Sequence, residues 1–158
     1  MDDKTECRKV VVDYLKKYPL CVLSTTDGKE AHGAAVYVLL VEEDTNPTVF
    51  LFTHEDSKKA NNTRNFPGVS ITSFDEKDAT TLQMAGKAEG IKDFKQEQAY
   101  IKRLLDAAHS RLTNWVPVHM LKDGAIKVFK VRLEHVKFSD FSKGDVAQIQ
   151  IFNLTEKK

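Results

Sequence analysis

The chain is short of the residues that staple, kink or loosen a protein: its 158 residues hold two cysteines, four prolines, seven glycines and one tryptophan. Cys7 and Cys21 both sit in apolar patterns, and neither belongs to a CxxC pair. They read as buried free thiols, since a disulfide needs an oxidising compartment for which the sequence offers no other sign. Charge of one sign is missing too: 24 Lys and Arg face 23 Asp and Glu, a net +1. That excludes the broad basic surface by which proteins hold nucleic acid or an anionic membrane. No apolar run approaches the roughly 20 residues that span a bilayer. The start, MDDKTECRK, lacks the apolar core of a signal peptide, so a cytoplasmic location is expected. The five histidines show neither HxxxH nor HExxH spacing, and no metal site is expected. GxGxxG and P-loop motifs are absent as well.

What remains is ordinary globular material, 41% hydrophobic and 30% charged, in a length that suits one domain. Cys7, Val10, Val11, Tyr14, Leu15 and Tyr18 recur at helical spacing and predict a helix that ends before Pro19. Residues 20–25 and 31–41 are β-rich runs around Asp27-Gly28, the signature of a hairpin. Residues 42–47 read as loop, 48–53 as a third strand, and 58–65 as a short polar helix closed by Pro67-Gly68. Residues 69–74 alternate with period two. Residues 80–91 form a strand interrupted by Gly86, where a bulge or a close backbone approach is expected. Phe94, Ile101, Leu104, Leu105 and Ala108 mark one face of a second long helix, and residues 126–138 alternate almost strictly, the strongest strand signal present. Six or seven strands, mostly joined by short turns, argue against a parallel sheet linked by crossover helices. The expected architecture is mainly β with flanking helices: a small antiparallel barrel built by residues 1–138 as one domain. The tail, residues 139–158, adds an edge strand at 148–152.

The stretch Thr53-His54-Glu55-Asp56-Ser57-Lys58-Lys59 is the most informative. A strand end with a hydroxyl, Thr53, runs straight into a helix start bearing Ser57, Lys58 and Lys59. Free amides, the positive end of a helix dipole, hydroxyl donors and two ammonium groups together suit a phosphate. The same residues also fit an ordinary capped surface helix with solvated lysines. Thr80, Thr81 and Gln83 put polar groups into an otherwise core-like strand, either as outward positions or as donors to a flat heterocycle. Trp115 reads as a packing anchor at a turn, or as a ring that covers a planar cofactor or a subunit interface.

In this order the features resemble the FMN-binding split-barrel proteins, the pyridoxamine 5′-phosphate oxidase-like superfamily. The resemblance runs from the first helix to about Phe138 and is carried by LCVLSTTDGKEAHGAAVYVL, TVFLFTHEDSKKANNTRNFPGVSIT and TLQMAGKAEGI. It implies a split antiparallel β-barrel, a homodimer with FMN at the interface, and oxidoreductase activity on a small molecule. Carried over residue by residue, Phe52 and Thr53 match the strand end near the ribityl phosphate. Ser57, Lys58 and Lys59 match the phosphate-binding S-R-K, with lysine for arginine at 58, which keeps the charge and loses the bidentate fork. Ala34, Ala35 and Val36 match the strand whose backbone faces the flavin ring. Asn62, Gln83 and Trp115 are side chains available to line the site. Gly33, Val38 and Thr81 fall where the oxidase has arginine, lysine and glutamine, which removes side-chain contacts to the cofactor.

Residues 139–158 contain neither the tryptophan nor the arginines of the vitamin B6 oxidase's C-terminal region, so pyridoxamine 5′-phosphate oxidase activity is not expected. No residue presents itself as an acid or base, which flavin chemistry tolerates because the cofactor carries the hydride. Two other readings stand beside this one. A haem-binding split barrel would take His109, His119 or His135 as axial ligand. A barrel without cofactor would serve as a binding or stress-response module, a reading that Gly33, Val38 and Thr81 keep open. The Ser57-Lys58-Lys59 start favours flavin over haem, whose charged groups are carboxylates.

Overall fold

Apolar residues at every second position give a strand one face to bury, and most of this chain is patterned that way. The computed structural model describes residues 3–38, 41–42, 47–111 and 125–155. In chain order the elements are α1 (Asp3–Lys17), β1 (Leu20–Thr26), β2 (Ala31–Tyr37), β3 (Val41–Glu42), β4 (Thr48–His54) and α2 (Lys58–Asn65). There follow β5 (Gly68–Asp75), β6 (Thr80–Gly90), α3 (Phe94–Arg111), β7 (Ile126–Asp140) and β8 (Gln148–Asn153). Every strand pairing is antiparallel, in the spatial order β2-β1-β5-β6-β7-β4-β3, with β8 joined to β7. The fold is therefore mainly β with three helices, and it has eight strands among the described residues rather than six or seven.

Two local expectations need correction. The β-rich run 31–41 is not one strand: β2 stops at Tyr37, and Val41 begins β3, which pairs with β4 instead of β1. The Val38 N–H donates to the Pro19 carbonyl at 3.0 Å, closing the end of the β1–β2 ladder. Phe94 does not pack; it is 73% exposed. It lies in the first turn of α3, and the inward position one turn on is taken by Glu97, whose carboxylate accepts from Lys127 Nζ at 2.7 Å. Ile101 and Leu104 are buried as expected.

The β1–β2 hairpin is organised by Asp27, whose Oδ1 accepts the N–H groups of Lys29 at 2.9 Å and Glu30 at 2.8 Å. Such a side-chain turn needs a residue that enters the left-handed region, and Gly28 does so at φ 90. The strand glycine, Gly86, marks the expected irregularity: the β6–β7 register shifts there, and a Cβ would lie 2.0 Å from the Arg132 carbonyl oxygen.

Two cores share β4 and β7. The larger takes Val11 and Leu15 from α1, Leu23, Ile71, Leu82 and Met84 from the central strands, and Phe152 and Leu154 from the tail. The smaller lies under α3 and holds Phe50, Phe52, Ile101, Leu104 and Val128. Because β4 is covered on both faces, it reads as a continuous apolar run rather than an alternating one. Cys7 and Cys21 are free and buried, and burial pushes both thiols up to about 12. No helix among the described residues is long and apolar enough to cross a membrane.

Candidate functional site

Strand β4 delivers Thr53 to the mouth of α2, where the chain turns once before the helix begins. Ser57 is the N-cap: its backbone is extended, and its Oγ accepts from the Ala60 N–H at 3.2 Å. Thr53 Oγ1 lies 2.9 Å from the same Oγ, so the strand-end hydroxyl and the cap hydroxyl form one polar unit. Asn61 N–H donates to the Ser57 carbonyl at 3.0 Å and opens the helical ladder. The amides of Lys58 and Lys59, ahead of that first helical bond, belong to the unladdered start of α2. The helix carries no acidic residue in its first turn, so nothing offsets this concentration of positive charge from within α2.

The neighbouring elements brace that mouth. Asn62 is buried, and its Nδ2 donates to Thr25 Oγ1 at 3.1 Å, fastening α2 to β1. Arg64 Nη1 donates to the Glu55 carbonyl and to Asn61 Oδ1, both at 3.0 Å, which ties the turn before the helix to the helix itself. Asp27, in the β1–β2 turn, is held below the usual carboxylate range by the N–H groups of Glu30 and Lys29 and, to a lesser degree, by the Lys58 ammonium. That last influence is electrostatic, the Lys58 charge acting on the carboxylate of the turn from which β2 departs.

Along β2 the side chains are small. Gly33 and Ala35 face outward, Ala34 is half-buried, and Val36 is buried in the larger core. A Cβ at Gly33 would have only Val22 Cγ1, at 3.7 Å, near it, so the outer surface of β2 is shallow and open. β2 also runs close to β4. The start of α2, with Ser57, Lys58 and Lys59, and the strand β2 are thus linked through β4, which carries Thr53, and through β1, each of which lies against both.

Other sequence-derived candidates lie elsewhere. Phe52 turns its side chain into the core under α3, away from Thr53 and Ser57. Asn62 is spent on Thr25 and does not line the site. Thr81 and Gln83 stand on the outer face of β6, three strands from β2 in the sheet order. At about 4.8 Å per strand that is about 14 Å, too far to share a ligand contact with β2 of the same chain. Val38, where the oxidase has lysine, is fully buried and belongs to the core. His135 is exposed, with Nδ1 2.8 Å from Asn153 Oδ1, on the strand pair β7–β8. Trp115, His119 and the side chains of Ala108 and His109 lie outside the described residues. In the sequence Asp27 signals only a hairpin turn and Arg64 only a basic residue in a short helix; their bracing of the site comes from the fold.

Solved structures share this fold. A pyridoxamine 5′-phosphate oxidase-related, FMN-binding protein from Nostoc punctiforme superposes with a TM-score of 0.66 at 14% identity, over 92% of this chain and 90% of that one. A FAD-binding protein from Mesorhizobium loti gives 0.63 at 16% identity, over 85% and 91%. A heme-binding protein from Mycobacterium smegmatis gives 0.63 at 16% identity, over 95% of this chain and 58% of that one. At such identities the likeness is one of fold. No curated protein matches the chain. The family model described as pyridoxamine 5′-phosphate oxidase matches residues 8–140, from α1 to the end of β7, and the chain belongs to that family.

Proposed function

We propose that this protein is a homodimeric FMN-binding flavoprotein, an oxidoreductase acting on a small molecule other than pyridoxamine 5′-phosphate. The observation that carries the reading is the start of α2, where the Thr53–Ser57 hydroxyl pair meets Lys58, Lys59 and the first-turn amides. Hydroxyl, amide and ammonium donors at one helix start are complementary to a phosphate monoester. The residues present fit the rest of the group as well. From Ala31 to Tyr37 is six steps, about 20 Å of strand at about 3.3 Å each, and its outward positions near the helix are glycine and alanine. A flat ring can therefore approach the β2 backbone without meeting a bulky side chain.

Flavin, when bound, supplies the hydride chemistry. The chain's own part is to anchor the phosphate through Ser57, Lys58 and Lys59 and to offer the open surface of Gly33 and Ala35, with the backbone at Ala34, to the ring. A second copy is proposed for two reasons. Thr81 and Gln83 cannot reach β2 of their own chain, and the outer face that carries them also exposes Ile149 and Ile151 of β8, at 50% and 65%. A second copy laid on that face would cover these residues and bring its Thr81 and Gln83 toward the first copy's β2.

The test is the double variant Lys58→Ala/Lys59→Ala, with FMN affinity read from flavin fluorescence and folding from circular dichroism. Charge-assisted hydrogen bonds are each worth about 1.5–3 kcal/mol, so loss of two should weaken FMN at least a hundredfold in a folded protein. Unchanged affinity would reject the anchor. A wild-type protein that takes up no FMN would leave a barrel without cofactor, and a Soret band in place of the flavin bands would turn the assignment to haem.

A further inference from the structure

A cavity of about 510 Å³ opens between the second half of α1, the β5–β6 turn and the end of β7. That lies within the roughly 300–1,000 Å³ of small-molecule sites. It is on the α1 side of the sheet, not on the outer face proposed for the second copy. Thr80, in its wall, shares a face of β6 with buried Leu82, and Phe138 stands opposite Leu82 and packs against the larger core. The α2 region meets β6 at that strand's other end, where the Pro67 carbonyl accepts the Ala88 N–H at 2.8 Å. From Thr80 to Ala88 is about 26 Å of strand at about 3.3 Å per residue.

Three rings line this cavity: the Tyr14 centroid is 5.0 Å from that of Tyr18 and 5.9 Å from that of Phe138. Such a cluster suits an aromatic guest. The walls are held in place without one. Tyr14 Oη donates to the Thr80 carbonyl at 3.2 Å, Tyr18 Oη donates to the Asp78 carboxylate, and the Phe141 N–H donates to the Ala79 carbonyl at 2.9 Å. The charges of the lining cancel. Asp13 is held by Lys9 at 2.7 Å, and Lys17 and Lys77 are matched by Asp78 and Asp140, so neither sign of ligand is favoured. One polar group is left over: Thr80 Oγ1 is buried and has no hydrogen-bond partner. A buried hydroxyl in that state is costly, and an occupant with a hydroxyl of its own removes the cost. We propose that this cavity is a second small-molecule site, separate from the cofactor, and that its ligand is an uncharged aromatic alcohol. The ring lies among Tyr14, Tyr18 and Phe138, and the hydroxyl pairs with Thr80 Oγ1. The site does not depend on the flavin reading.

The experiment titrates three probes into wild-type protein at pH 7, with and without FMN, followed by calorimetry and amide NMR. They are 2-naphthol, 2-methylnaphthalene, which puts a methyl group where the hydroxyl was, and the anion 2-naphthoate. Naphthol is expected to saturate, to shift the amides around Thr80 and Phe138, and to bind about tenfold more tightly than methylnaphthalene, the scale of one hydrogen bond to a group otherwise unpaired. Naphthoate should bind no more tightly than methylnaphthalene. Thr80→Val should erase the preference for naphthol, leave methylnaphthalene binding unchanged and not lower the unfolding midpoint, because the hydroxyl it removes has no partner in the fold. Val10→Trp, which fills the α1 wall of the cavity, should exclude both neutral probes. Absence of saturable naphthol binding overturns the site, as does tighter binding of naphthoate, a preference that survives Thr80→Val, or binding that survives Val10→Trp. Competition between naphthol and FMN, or amide shifts centred on Lys58, Lys59 and β2, would put naphthol in the flavin site and reject the second one. Naphthol bound at Thr80 in a protein that takes up no FMN upholds the proposal and rejects the flavin reading alone.

Discussion

The central strands present two surfaces that differ by one step along the chain. On the inner face Leu23, Ile71, Leu82 and Met84 are at most 3% exposed. Their immediate neighbours Val22, Thr72 and Gln83 point the other way, and Val22 is 41% exposed. Successive side chains on a strand alternate, so the same backbone holds the fold with one set of residues and leaves the other set available. The outer set is not uniformly polar. Its apolar members gather at the two ends, Leu20, Val22 and Phe74 at one and Ile149 and Ile151 at the other, with Thr72, Thr81 and Gln83 between. Stability is therefore an inner-face property here, and the outer face is the surface on which the proposed second copy would lie.

The comparison is broken most severely by a pair of truncations. Leu82→Ala, at a fully buried position, should cost about 2–5 kcal/mol in urea unfolding. Val22→Ala should stay within about 0.5 kcal/mol. Equal costs would mean that the outer face is also packed within the folded unit.

A smaller effect sharpens the outer face as a binding surface. Gly33 stands where the oxidase has arginine, and its surroundings leave space for a side chain. Gly33→Arg should leave the unfolding midpoint nearly unchanged and tighten FMN binding about tenfold, the scale of one charge-assisted contact. Fluorescence titration of FMN checks it, and a loss of affinity would show that β2 needs its bare backbone more than a cation.

The smallest effect concerns the turn between the two regions. Asp27 has a folded pKa below its unfolded value, so it stabilises the fold above the unfolded pKa, and this contribution is lost as pH falls through the folded one. Asp27→Asn should remove a slight stability loss that wild type shows below about pH 4. Lys58→Ala should raise the Asp27 pKa only part of the way, because the Glu30 and Lys29 N–H groups are the larger cause. Carboxyl NMR titration reads both. A complete return to the ordinary value would make Lys58 the dominant partner.

Much of the fold was legible because its signals are local. The bounds of α2, the bulge at Gly86 and the strand at β7 all follow from caps, glycine and strict alternation. The run 31–41 was misread because its residues are β-formers throughout, and only the pairing of Val41 with Val49 shows that the chain has changed partners. Phe94 was misread for a related reason: helical spacing identifies a face but not how far the neighbouring sheet extends beneath it. At the candidate site, the Ser57 cap and both lysines were visible as a helix start. The burial of Asn62 against Thr25 was not, since those residues meet only when α2 folds back on β1.

By itself the sequence determined a mainly antiparallel chain with a cationic helix start and free buried thiols, because a period of two, a cap and a composition are properties of neighbouring residues. Only the tertiary structure decided which polar groups share a site. The packing of α2 on the sheet, set by which faces bury together and which loops can close, puts Asn62 3.1 Å from Thr25. Strand order leaves Thr81 and Gln83 three strands from β2.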